Sequence, residues 1–269
     1  MFFVISGFII ATVMRGRTAA EFYRDRLRRI YPAYWVATVP WLLLAIWGGL
    51  TTPERTLSSL TLWPIYSAYA EPYLRVAWTL SFEMLFYTAA ALAILTSARL
   101  PLAMFALCFA GNLIYRTPLL AFTGSPMIFE FLAGVALTKA GRSEQAAVFL
   151  LPAALIAVAL APIFDEIGLA HPLSRIALWG IPSAAIVYSA LSLERFVTRW
   201  ANWPAKLGDA SYSLYLWHFL ICALFPAVAA IPLSIAAASA SYRFIERPIL
   251  RLKPHVGDRG LGRAPMPAE

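Results

Sequence analysis

The sequence predicts an all-α, polytopic integral membrane protein with about nine transmembrane helices. Composition, the lengths of the apolar runs and the placement of charge carry that expectation. Of 269 residues, 61% are hydrophobic and 13% charged, and the mean hydropathy is +0.69. Soluble domains are about 45–50% apolar and about 25% charged, so one membrane domain (1–253) is expected rather than two soluble ones. A spanning helix needs about 20 apolar residues. Nine apolar segments appear, at roughly 2–14, 31–50, 78–97, 101–115, 126–139, 146–163, 174–193, 210–226 and 229–246. With the 15–29 connection placed in the cytoplasm and the segments alternating, 18 of the 22 Lys and Arg fall on that side. Only Arg55, Arg75, Arg116 and Arg175 fall on the other, a clear positive-inside bias. The +8 net charge is therefore a topology signal, and no nucleic-acid partner is expected.

The first segment is short, about 21 Å of helix against a hydrocarbon core of about 30 Å. It has no basic stretch before it, unlike a signal peptide, so the sequence is expected to start after at least one further helix. Next comes Phe22-Tyr-Arg-Asp-Arg-Leu-Arg-Arg-Ile-Tyr-Pro-Ala-Tyr34, which puts Arg24, Arg26, Arg28 and Arg29 at the start of the second span. Such a cluster calls for an anionic partner, either lipid headgroups or substrate phosphates. The connection 51–77 reads as the longest soluble one and carries Trp63, Pro64, Tyr66, Tyr69, Pro72 and Tyr73. Pro and Gly interrupt several later runs, which membrane helices tolerate when neighbours satisfy the freed backbone groups. The Gly/Pro-rich tail 254–269 is expected to be a disordered cytoplasmic extension. Cys108 and Cys222 lie inside apolar runs as buried thiols, and His171, His218 and His255 are too far apart for a local metal motif, so no metal site is expected.

The residues that could carry chemistry are the polar ones inside spans. Glu83, in Trp78-Thr-Leu-Ser-Phe-Glu-Met-Leu-Phe-Tyr87, is costly there unless it faces a cavity or a partner. It either lines a polar site or pairs with an arginine to hold helices together. Thr79, Glu83 and Phe86 share one helix face. Glu130 is a similar acid for which the structural role is preferred. In Leu207-Gly-Asp-Ala-Ser-Tyr-Ser-Leu-Tyr-Leu-Trp-His218, Asp209 or Ser211 is positioned to cap a helix. With no local carboxylate, His218 reads as a packed, hydrogen-bonded residue. Ser241-Tyr-Arg-Phe-Ile-Glu-Arg-Pro248 closes the last span with Arg243, Glu246 and Arg247. These arginines either line a phosphate site with the first cluster, since guanidinium binds phosphate bidentately, or snorkel as positive-inside anchors.

Five words in order, Phe2-Phe-Val-Ile-Ser-Gly-Phe8, Phe22 through Tyr34, Trp78 through Tyr87, Leu207 through His218 and Tyr242 through Pro248, resemble the membrane-bound acyltransferase family 3. Met84 stands where many members have a second acid, which is most similar to the exopolysaccharide and O-antigen acetylase branch. The resemblance implies about ten spans in a bacterial cytoplasmic (inner) membrane. It implies transfer of an acyl group, usually acetyl, from cytoplasmic acyl-CoA to a hydroxyl of a lipid-linked or exported glycan, with membrane lipids as the remaining partners. It implies that Arg28 and Arg29 match donor-side arginines and that Glu83 is the acid of the transfer cavity. Trp78, Ser81, His218, Arg243, Glu246 and Arg247 match further motif positions. The family's catalytic histidine lies on its first helix, which is expected before Met1. Rival readings are a transporter or flippase of lipid-linked glycans, which often shows internal repeats that are not visible here, and a non-catalytic component of a polysaccharide export complex.

Overall fold

A computed structural model describes residues 1–63, 72–115, 117–166, 172–197 and 208–251. The tail 254–269, Pro64, Tyr66, Tyr69, His171, Leu207 and His255 lie outside them, as do Arg116, Arg199, Lys206, Lys253, Arg259 and Arg263. Helices answer to all nine apolar segments. Among the described residues, five stretches are long and apolar enough to cross a bilayer: Ala19–Trp47, Arg75–Leu95, Pro118–Leu137, Glu144–Pro162 and Ala227–Arg251. Four apolar helices are shorter: Phe2–Val13, Arg99–Tyr115, Ile176–Ser192 and Ser211–Leu224. The protein is an all-α, multi-pass membrane protein.

The elements in chain order are α1 (Phe2–Val13), α2 (Ala19–Trp47), α3 (Pro53–Thr61), α4 (Trp78–Leu95), α5 (Arg99–Tyr115), α6 (Pro118–Thr123), α7 (Met127–Leu137), α8 (Glu144–Glu166), α9 (Pro172–Arg175), α10 (Ile181–Ser192), α11 (Glu194–Val197), α12 (Ser211–Leu224), α13 (Ala227–Ser241) and α14 (Arg247–Arg251). A 3-10 turn, Arg75–Ala77, leads into α4. π-helical turns join α9 to α10 at Ile176–Gly180 and α13 to α14 at Tyr242–Glu246.

The basic stretch does not precede the second helix but forms its first turns. Thr18 and Glu21 make a reciprocal capping box that starts α2 at Ala19. Its 29 residues span about 44 Å, longer than the hydrocarbon core, so the arginine-bearing turns extend past the basic face. At 100° per residue, Arg26 and Arg29 share one side of α2, while Arg24 and Arg28 share the other.

The described parts of the 51–77 connection, 51–63 and 72–77, contain a helix and a 3-10 turn. Thr52 caps α3, with Pro53 at its first position. The helix folds back along α2. Its final carbonyls accept hydrogen bonds from Tyr31 Oη (to Thr61, 2.5 Å), Tyr34 Oη (to Ser59, 2.6 Å) and Trp35 Nε1 (to Leu60, 3.0 Å). Three aromatic donors of α2 thus satisfy carbonyls that a helix end leaves open.

The core is a stack of aromatic rings between α1, α2, α4 and α7. Phe86 stacks on Phe131 with centroids 4.1 Å apart, and Phe3 meets Phe82 and Phe86 edge-on, each at 5.7 Å. Gly7 and Gly134 let α1 and α7 touch backbone to backbone. A Cβ on Gly134 would sit 1.9 Å from the Val4 carbonyl oxygen, and one on Gly7 would sit 2.0 Å from that of Phe131. Small residues at such crossings are the usual route to close packing in lipid. α8 packs on α10 and α12 on α13. Large apolar side chains such as Trp47, Leu107, Phe149 and Val228 remain exposed, as a lipid-facing surface requires.

Candidate active site

Four helices bring a charged cluster together near the basic face. α2 supplies Arg26 and Arg29, α4 supplies Glu83 and Tyr87, α12 supplies Tyr212 and Ser213, and the π turn before α14 supplies Glu246. Tyr87 Oη donates to Glu83 Oε1 at 2.6 Å. The Arg29 and Arg26 charges act on Glu83, and Arg29 also acts on Glu246. Ser213 is hydrogen-bonded to Glu246 Oε1 and to Ser241 Oγ (2.8 Å). Tyr212 Oη donates to the Ile30 carbonyl at 2.9 Å, tying α12 to α2 one residue beyond Arg29. The Ser6 hydroxyl approaches Glu83 without reaching hydrogen-bond geometry.

Two local features aim these groups. Arg26 is buried at 8% exposure, whereas Arg28 is exposed, as the helical spacing requires. In the last helix, the π turn carries an extra residue and changes which side chains share a face. Glu246 is turned inward at 6% exposure, and Arg243 and Arg247 stay outside. The last-span charges therefore do not act as one group: Glu246 joins the cluster, while the Arg243 guanidinium lies 5.8 Å over the Phe244 ring.

The other sequence-nominated residues are spread more widely. Arg28 lines a shallow apolar groove with Tyr23, Tyr31 and Trp35 on the far side of α2. Trp78 packs edge-on against Phe3 and Phe82 (6.1 and 6.2 Å), and Ser81 is buried beside it on α4. His218 Nδ1 is bonded to the Leu214 carbonyl of its own helix at 3.1 Å and makes no ion pair with the cluster. Neither Asp209 nor Ser211 caps α12, whose N-cap is Ala210 without a side-chain bond. The sequence reading placed Arg26 in the basic cluster without singling it out over Arg28 and Arg29, and it nominated none of Tyr87, Tyr212 and Ser213 as site residues. The i, i+3 spacing of Arg26 and Arg29 and the i, i+4 spacing of Glu83 and Tyr87 were the available signals.

A second buried acid lies toward the opposite face. Glu130, 3% exposed, faces Arg175 Nη2 at 3.5 Å. Gly180, at the end of the other π turn, leaves room for the Glu130 side chain. This pair ties α7 to the α9–α10 helix, as the structural reading of Glu130 expects.

Chemically, the first cluster holds two carboxylates against two guanidiniums, and the Arg26 Nε is buried with no hydrogen-bond partner. An unsatisfied charged donor beside two ordered acids suits a ligand that brings anionic oxygen.

Comparisons with known proteins place the chain among acyltransferase-like sequences. The family profile described as "Acyltransferase domain" matches residues 1–237. The chain is 36% identical over 281 residues to "Exopolysaccharide production protein ExoZ" of Rhizobium meliloti (strain 1021), covering 93% of this chain and 88% of that protein. It is 33% identical over 110 residues to "Nodulation protein 10" of Rhizobium leguminosarum bv. viciae, covering 32% of this chain and 30% of that one. No solved structure matches.

Proposed function

The chain belongs to the acyltransferase 3 family, and on that premise we propose that it transfers an acyl group, acetyl in the first instance, from cytoplasmic acyl-CoA to a hydroxyl of an exported polysaccharide. The observation that carries this reading is the gathering of Arg26 and Arg29 near Glu83, with Glu246 also within electrostatic reach of Arg29, while the buried Arg26 Nε has no hydrogen-bond partner. The positive-inside bias favours the bacterial inner membrane with this cluster toward the cytoplasm. Similarity to an exopolysaccharide production protein favours an exopolysaccharide acceptor.

In this reading the arginines of α2 attract the phosphates and the thioester oxygen of the donor. The acceptor hydroxyl oxygen bonds to the thioester carbonyl carbon, its proton passes to a general base, and the C–S bond breaks to release CoA. Arginine donors near the reacting carbonyl stabilise the oxyanion that forms, the kind of contribution worth about 10²–10³ in rate per donor. Glu83, held by Tyr87, orients the base and balances the positive charge it gains. Arg28, Arg243 and Arg247 serve as anchors at the basic face and as outer attraction for the donor.

Membranes containing the protein, supplied with labelled acetyl-CoA and exopolysaccharide, test the proposal. Label in an alkali-labile ester on the glycan is the expected result. Glycan transport without label incorporation would replace it with the flippase reading.

A further inference from the structure

Near the opposite face the structure has a recess of about 540 Å³ lined by Arg75, Val76, Trp78 and Phe219. That volume lies within the range of small-molecule sites, roughly 300–1,000 Å³. We propose that this recess is the acceptor subsite and that Arg75 selects a sugar bearing a carboxylate. The proposal rests on the acyl-transfer reading and extends it to the class of glycan.

Position is the first argument. Phe219 lies five residues before the end of α12, which puts the recess about 8 Å below that end. Arg75 precedes Glu83 by eight residues, on the order of 12 Å along the helix. The recess therefore lies on the opposite-face side of the charged cluster, on the order of 12 Å from Glu83 along the helix. Its wall is also fixed. Tyr215 Oη is bonded to the Val76 carbonyl and lies 2.5 Å from Thr79 Oγ1, and the charge of Glu83 reaches Tyr215. Phe219 is held by stacking on Trp41 at 5.1 Å.

Chemistry is the second argument. Trp78 is 43% exposed, an aromatic surface suited to the C–H face of a pyranose ring. Basic residues are rare on this side, and the described ones differ in their partners. Arg175 faces Glu130, and the Arg55 guanidinium sits 4.7 Å over the Tyr73 ring. Arg75 has no acid within ion-pair distance among the described residues. Glu71, the acid nearest to it in sequence, lies outside them. A guanidinium set beside an aromatic wall matches a carboxylate bidentately and a neutral sugar poorly.

The test is calorimetric binding to the protein in lipid nanodiscs, using a uronic-acid oligosaccharide and its carboxyl-reduced counterpart, with labelled acetyl transfer followed in the same samples. The wild type is expected to prefer the acid at least tenfold. Arg75→Gln is expected to remove that preference while keeping the affinity for the neutral sugar, and Arg75→Lys is expected to restore part of it. Trp78→Ala is expected to weaken both. No preference in the wild type, or one that survives Arg75→Gln, overturns the proposal. Preference without any transfer leaves the recess standing as a carboxylate-selective sugar site and overturns the acyl-transfer reading, and with it the acceptor role.

Discussion

The protein buries carboxylates at two levels, each next to a π-helical turn. Toward the basic face, Glu83 and Glu246 are held by hydroxyl donors from Tyr87 and Ser213 and share the charge of Arg29. Arg26 adds a buried guanidinium with an unpartnered Nε. Toward the opposite face, Glu130 meets Arg175 at 3.5 Å and the Met1 amino group at 3.7 Å, and Arg175 Nε is likewise buried without a hydrogen-bond partner. An acid tied by ion pairs alone fastens helices. A cluster whose two acids are oriented by hydroxyl donors and share arginine charge is set up to receive an anionic ligand. Burial of an acid in a membrane helix is thus a poor guide to its role until its partners are counted.

Three variants can break or sharpen this contrast. The largest effect belongs to Glu83→Gln: turnover of labelled acetyl transfer should fall by roughly a hundredfold or more, while the purified protein stays monodisperse, because the amide oxygen still accepts from Tyr87. Equal turnover would remove Glu83 from the working site. Glu130→Gln should do the reverse, lowering unfolding stability by about 1–3 kcal/mol through an unpaired Arg175 and leaving the turnover of folded protein unchanged. A turnover loss at full stability would erase the distinction between the two levels. The smallest effect is that of Ser213→Ala, which takes a donor from Glu246. A net hydrogen bond of about 0.5–1.5 kcal/mol corresponds to roughly a threefold to tenfold loss of turnover. A change in thermal stability alone would move Glu246 to the structural side.

The nine apolar segments and the basic face were legible in the sequence because hydropathy and charge asymmetry act locally along the chain. Glu83 was legible for the same reason, since an acid in an apolar run stands out without knowledge of its neighbours. The roles of the individual arginines were harder to read. Arg28 and Arg29 sit flush against the apolar run and are both exposed, yet the helical phase buries Arg26 and puts Arg29 on the side of α2 that faces Glu83 and Glu246. Glu246 leaves the Arg243–Arg247 group because a π turn, which has no simple sequence signature, shifts its register. α3 was hidden because its C-terminal carbonyls are satisfied by Tyr31, Tyr34 and Trp35, residues about 25–30 positions earlier.

The central claim is that the side of α2 carrying Arg26 and Arg29, not its basic charge as a whole, holds the donor. Titration of acetyl-CoA into nanodisc-embedded protein tests it directly. Arg26→Ala with Arg29→Ala should weaken binding by about tenfold to a hundredfold, the worth of one to two charge-assisted contacts. Arg28→Ala should stay within about twofold of the wild type, the scale of screened surface charge. Equal weakening by all the arginine variants, or a loss confined to Arg28→Ala, would contradict the account.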